Sequence, residues 1–329
     1  MGHSRWSDAA YEARQGHRRA TGKSAFTYDR HVRDTGVARV HDAMNPHKVT
    51  RESRDSDEHP ESLAIAVIFD ETGSMGNVPR VLQTKLGALM RTLIQRGYVE
   101  HPQVLFGAIG DAYCDAVPLQ IGQFESGLEM DDDLAKLYLE GGGGGQVYET
   151  YELAMYFLAR HTSIDCFEKR GKKGYLFTIG DEKPYAVVHR QQVQQHIGDA
   201  LKRDIPVEQI VAEVQRRYEY FHIIPTNTSH GQSRDVQNHW KALLGERVLL
   251  LNDEAAVSET IALAIGLCEG TLDDLNRGAA DLVEAGSDPA AATTAATALK
   301  RFAPRRTLMS RVVAGLLPAS TRYDTGGRL

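Results

Sequence analysis

The chain has 329 residues, of which 42% are hydrophobic, 25% charged and only 7% aromatic. That length supports a large α/β domain with a buried core, and the composition excludes a disordered chain, a collagen-like repeat and a disulfide scaffold. The three cysteines, Cys114, Cys166 and Cys268, are scattered without zinc-type spacing. No apolar run approaches the roughly 20 residues of a membrane span. The charged N-terminal stretch lacks an apolar leader core, so a cytoplasmic protein without membrane contact is expected.

The net charge of −6 is spread unevenly. Residues 1–62 hold 11 Lys+Arg against 10 Asp+Glu, residues 287–329 hold 7 against 2, and the stretch between them carries −12. An acidic middle argues against nucleic-acid binding, which needs a basic face.

Residues 1–62 read as a charged extension with no sustained helical or strand period. Its end, RESRDSDEHPES, reads as an extended, solvated approach to the first strand, with Asp55, Asp57, Glu58 and His59 in water rather than on a metal. Character changes at Leu63. Leu63–Phe69 is an unbroken apolar run, the pattern of a strand buried on both faces, and Val104–Ile109, Tyr175–Ile179, Tyr218–Ile224 and Val248–Leu251 repeat it. Helical spacing separates these runs. It covers Val78–Leu93, with Pro79 in the first turn and Gly97 as a stop, then Tyr148–Ala159, His189–Leu201, Val236–Leu244 and Ala255–Leu267. The run Pro118–Phe124 follows Val104–Ile109 too closely for a crossover and is expected to pair with it as an antiparallel edge strand. Residues 63–270 are therefore expected to form a doubly wound α/β domain, with a mostly parallel six-stranded sheet and one antiparallel edge strand. Residues 271–329 read as an alanine-rich helical and basic tail, with helices near Leu272–Val283 and Pro289–Phe302 and a weakly ordered end that includes Arg306–Leu317.

In open parallel sheets, ligands gather beyond the carboxyl ends of the strands. Asp70-Glu71-Thr72-Gly73-Ser74-Met75 follows the first strand, Gly110-Asp111 the second, and Gly180-Asp181-Glu182 the strand Tyr175–Ile179. Glu140 and the glycines Gly141 to Gly145 precede the Tyr148 helix. Carboxylates and hydroxyls without nearby histidine or cysteine suit a hard divalent cation such as Mg²⁺ or Mn²⁺. Asp70, Thr72 and Ser74 alternate, so an extended loop turns one carboxylate and two hydroxyls to the same side. Such a set leaves the cation short of negative charge and ready for a carboxylate from a partner.

Asp-x-Thr-Gly-Ser-Met after an apolar strand resembles the metal-ion-dependent adhesion site of von Willebrand factor A domains, over roughly Leu63 to Leu267. The resemblance implies that Asp70, Thr72 and Ser74 are metal-loop residues and that Asp181 in TIGDEKP is the distal aspartate. It also implies a threonine before a later helix. Here that position falls on Glu149 or Thr150, and a Glu149 there lowers the appetite for an external acidic ligand. Asp111 and Glu182 are expected behind the ligands. The function implied is metal-dependent protein binding, not catalysis, with the ion completed by a partner's Asp or Glu. The partner class implied is an AAA+ ATPase of the MoxR type. A scaffold domain with a lapsed metal site is the alternative. A haloacid-dehalogenase-type phosphatase is disfavoured, because Thr72 stands where that chemistry needs an acid/base aspartate.

Remaining features take structural readings. The basic turn Lys169, Arg170, Lys172, Lys173 is expected in solvent, His222 as a hydrogen-bonded core histidine, Trp6 and Trp240 as packing residues, and Cys114 without a depressed pKa.

Overall fold

The computed structural model describes residues 2, 4–71, 73–75, 77–141 and 147–303, apart from the side chain of Ser74. The expected segment Arg306–Leu317 lies outside the described residues, as do Thr72 and most of the glycine run.

In chain order, helices α1 (Asp8–Thr21) and α2 (Thr27–Thr35) precede strand β1 (Leu63–Asp70) and helix α3 (Val78–Gln95). Strands β2 (Pro102–Ile109) and β3 (Leu119–Ile121) follow, then helices α4 (Glu129–Ala135), α5 (Tyr151–Arg160) and α6 (Asp165–Glu168). Strand β4 (Gly174–Ile179), helices α7 (Arg190–His196) and α8 (Val207–Arg217), strand β5 (Tyr218–Pro225), helix α9 (Arg234–Leu244) and strand β6 (Val248–Leu251) complete the sheet. Helices α10 (Val257–Glu269), α11 (Leu275–Glu284) and α12 (Pro289–Ala298) close the described chain.

The six strands lie in the order β6-β5-β4-β1-β2-β3. Neighbours are parallel except β3, which runs antiparallel to β2 with Ile109 opposite Leu119. The doubly wound sheet with an antiparallel edge is as expected. Every residue of β1, β2 and β4 is buried, because helices cover both faces; α3 packs on α10, and α5 on α8. Such wholly buried Ile, Leu, Val and Phe side chains each contribute about 1.5–3 kcal/mol. From β1 the chain winds first to β2 and β3, then returns to the other side of β1 for β4, β5 and β6. The order reverses between β1 and β4, and the crevice beyond their carboxyl ends is the topological switch point.

Four expectations are corrected. The N-terminal extension is not without helical period: α1 and α2 form, and Tyr11, Phe26 and Met44 enter the core. Helix α1 has little apolar surface. It is held by Arg14 and Arg18 on Asp131 and Asp132, and by the Tyr11 hydroxyl donating to the Gln83 carbonyl. The approach to β1 is not a solvated linker either. Arg51–Ser53 pairs in parallel with Thr162–Ile164, and Asp55 accepts hydrogen bonds from Arg170 at 2.7 Å and from Ser62. The basic turn lies in solvent as expected, with Lys169 and Lys172 exposed while they pair with Asp165 at 2.7 Å and with Glu269. Helix α8 has no counterpart in the expected elements, although Val207, Ile210, Val211 and Val214 bury one face at helical spacing. Finally, the helix expected from Tyr148 begins at Tyr151, because Tyr148–Glu149 is extended and pairs with Lys183–Pro184. Glu140 lies in a loop and accepts from the Ala116 and Val117 amides. Among the described residues no helix is long and apolar enough to cross a membrane.

Candidate metal centre

Three carboxylates meet at the switch point. Asp70, Glu149 and Glu182 each direct one oxygen to a common region, with the three oxygens within 4.8 Å of one another, and all three residues are buried. Each arrives by a different local rule. Asp70 is the last residue of β1, where strand alternation turns it away from Glu71; the Glu71 carboxylate instead accepts from the Gln120 amide at 2.7 Å. Glu149 sits in the short ladder with Lys183–Pro184, and the same alternation leaves its neighbour Tyr148 exposed. Glu182 follows β4, its backbone carbonyl fixed by the Trp240 indole N–H at 2.7 Å.

The threonine position is therefore divided between two residues. The Thr150 hydroxyl donates to the Gly110 carbonyl, which anchors the start of α5 to the end of β2, while the Glu149 carboxylate reaches the cluster. Asp181, expected to share the cation, is fully buried one residue from the cluster, with Oδ2 accepting the His230 N–H at 2.8 Å. Glu182, expected behind the ligands, is a member of the acidic group. Asp111 lies further out, accepting from the Tyr185 hydroxyl at 3.0 Å and the Tyr113 N–H. Thr72 and the Ser74 side chain fall outside the described residues.

The electrostatics are those of a site short of positive charge. Burial, reinforced by the negative charge of Asp70, raises the pKa of both Glu149 and Glu182; Glu182 pushes Glu149 further up, and Asp181 does the same to Glu182. Glu149 Oε2 and Glu182 Oε2 are buried without a hydrogen-bond partner. Such orphaned oxygens cost roughly 1–3 kcal/mol each unless something binds them. A hard cation does so, and the oxygen-only donor set fits one.

An aromatic wall backs the cluster. The Tyr151 hydroxyl faces Asp70 Oδ2 at 3.4 Å, and its ring meets His222 and Trp240 edge-on. Gly180 has to be glycine here, because a Cβ would collide with the Tyr151 hydroxyl. His222 is a core histidine as expected: Nδ1 bonds Thr178 at 2.8 Å, the ring stacks on Trp240, and burial lowers its pKa well below the usual value. Cys114 is pushed up to about 12 by burial and by Asp115 and Asp111, the reverse of a reactive thiol. Of these residues, sequence reasoning missed the roles of Glu182 and Tyr151. The signal for Glu182 was its place after β4; for Tyr151 there was none beyond its apolar helix face.

No protein-family model matches the chain, and no curated protein matches its sequence. Solved structures with partial likeness include the pilus adhesin SpaC from Lactobacillus rhamnosus GG in its open conformation. That match has 9% identity and a TM-score of 0.43, over 68% of this chain and 31% of the adhesin. Proximal thread matrix protein 1 from the mussel byssus matches at 11% identity and a TM-score of 0.40, over 62% of this chain and 47% of the matrix protein. The chain thus spans less than half the length of either.

Proposed function

We propose that this chain is a divalent-cation-dependent protein-binding module of adaptor type, not a catalyst, whose cation is Mg²⁺ or Mn²⁺. The observation that carries the reading is the buried trio Asp70, Glu149 and Glu182 at the switch point, with two orphaned oxygens. These residues would hold the ion. Thr72, Ser74 and Asp181 are the further oxygen donors implied by the resemblance to von Willebrand factor A domains. When bound, the ion offsets the crowded negative charge and offers an anchoring point for an outside oxygen. Three carboxylates exceed the charge of a divalent ion, so a partner's Asp or Glu meets residual repulsion and is held less firmly than at a site of one carboxylate and two hydroxyls. The partner class proposed, on the resemblance, is an AAA+ ATPase of the MoxR type.

Titration calorimetry of the purified chain with MgCl₂ and MnCl₂ tests the reading. Saturable binding that Asp70→Ala abolishes, with the circular dichroism spectrum retained, is expected. Absence of binding at millimolar cation overturns it. That second outcome belongs to the alternative, a scaffold domain with a lapsed metal site, which is favoured by the raised pKa of the crowded, buried Glu149 and Glu182: there a proton takes the place of the ion.

A further inference from the structure

Beside the acidic cluster lies an exposed aromatic rim that the cation reading does not use. Among the described residues four large apolar or aromatic side chains are exposed, and two of them, Tyr113 (53%) and Tyr148 (37%), flank the same ring, Tyr185. The Tyr185 centroid is 4.7 Å from that of Tyr113 and 5.3 Å from that of Tyr148, the latter pair stacked at 25°. Tyr185 is pinned by its hydroxyl on Asp111 and its backbone N–H on Glu152. His189 meets Tyr113 edge-on and lies 3.3 Å from Asp204. Burial is not what gathers these rings, since the outer two stand in water. The rim is also negative: Asp111 and Asp204 both act on the Tyr113 phenol. A cation already uses it, because Lys183 Nζ stands 4.5 Å from the Tyr148 centroid while paired with Asp235 at 2.7 Å.

We propose that this rim seats the guanidinium of an arginine from a protein partner, stacked on Tyr113 next to the acidic cluster. The proposal rests on the reading of this edge as a protein-binding face and adds the partner's chemistry. A tyrosine face attracts cations through its quadrupole, and a planar guanidinium both stacks and bonds carboxylates, which an ammonium does only as a point charge. The acidic stretch of −12 over residues 63–286 steers such a group toward the rim and repels an acidic one.

The test uses two fluorescein-labelled peptides of equal net charge, alternating glycine with arginine or with lysine. Each is titrated by anisotropy against the full chain at physiological salt, in chelator and in Mg²⁺. The arginine peptide is expected to bind about threefold or more tighter than the lysine peptide. Tyr113→Ala should erase that preference and Tyr113→Phe keep it; Tyr113 is exposed, and melting curves check the fold. Equal affinities, no binding of either peptide, or a preference that survives Tyr113→Ala overturns the proposal. The preference is read in chelator as well, so it fails or holds independently of the calorimetry that decides the cation.

Discussion

Replacing Glu149 by glutamine separates a cation site from a structural carboxyl cluster, because the two call for opposite behaviour. In the cation-free chain, Glu149 lies within 4.8 Å of like-charged oxygens on Asp70 and Glu182. Two unit charges at that distance repel by about 3 kcal/mol at an effective dielectric constant of about 20. A proton held on Glu149 relieves part of this, so the amide is expected to stabilise the cation-free chain by about 2 kcal/mol. Cation has the reverse effect on the two proteins. At one hundred times its dissociation constant, a ligand stabilises the native state by about 2.7 kcal/mol, which the variant should lose along with its ligand carboxylate. At about 2 °C per kcal/mol for a chain of this size, the wild type should melt roughly 5 °C higher in Mg²⁺ than in chelator. Glu149→Gln should melt higher than the wild type in chelator and show little response to Mg²⁺. Scanning calorimetry at neutral pH reads both differences. A variant that melts lower in chelator and still responds to Mg²⁺ would refute the reasoning.

Two further outcomes concern charges away from the cluster. Glu152 is fully buried with Oε1 unpartnered, and burial raises its pKa well above the usual carboxyl value. The folded chain then keeps a proton that the unfolded chain releases above about pH 4.5, which costs about 1.4 kcal/mol per pH unit. Glu152→Gln should therefore stabilise by up to about 3 kcal/mol at pH 7 and by almost nothing at pH 4.5, measured by urea denaturation; a gain independent of pH would contradict this. Burial opposes ionisation of Asp55, but hydrogen bonds from Arg170 and Ser62 outweigh it and bring the pKa down to about 2. A depressed carboxylate stabilises above its unfolded pKa and loses that contribution as pH falls through its folded one. Asp55→Ala should cost about 2 kcal/mol at pH 7 and little at pH 2, and an equal cost at both would show that packing, not the ion pair, is at work.

The sequence by itself determined the sheet and its edge, because unbroken apolar runs and the short gap before β3 are local signals that no other packing satisfies. It also placed Asp70 at the carboxyl end of β1 and gathered acidic loops at one rim. Which side chains meet there was decided only by tertiary structure. Between Glu149 and Thr150, adjacent side chains go to different partners, so the choice depends on the register of a two-residue ladder with Lys183–Pro184, while Glu182 is held by the Trp240 anchor on its carbonyl. The N-terminal helices were hidden for a related reason. Arg14 and Arg18 find Asp131 and Asp132 more than a hundred positions away, and an apolar periodicity carries no trace of partners held by charge across such a separation.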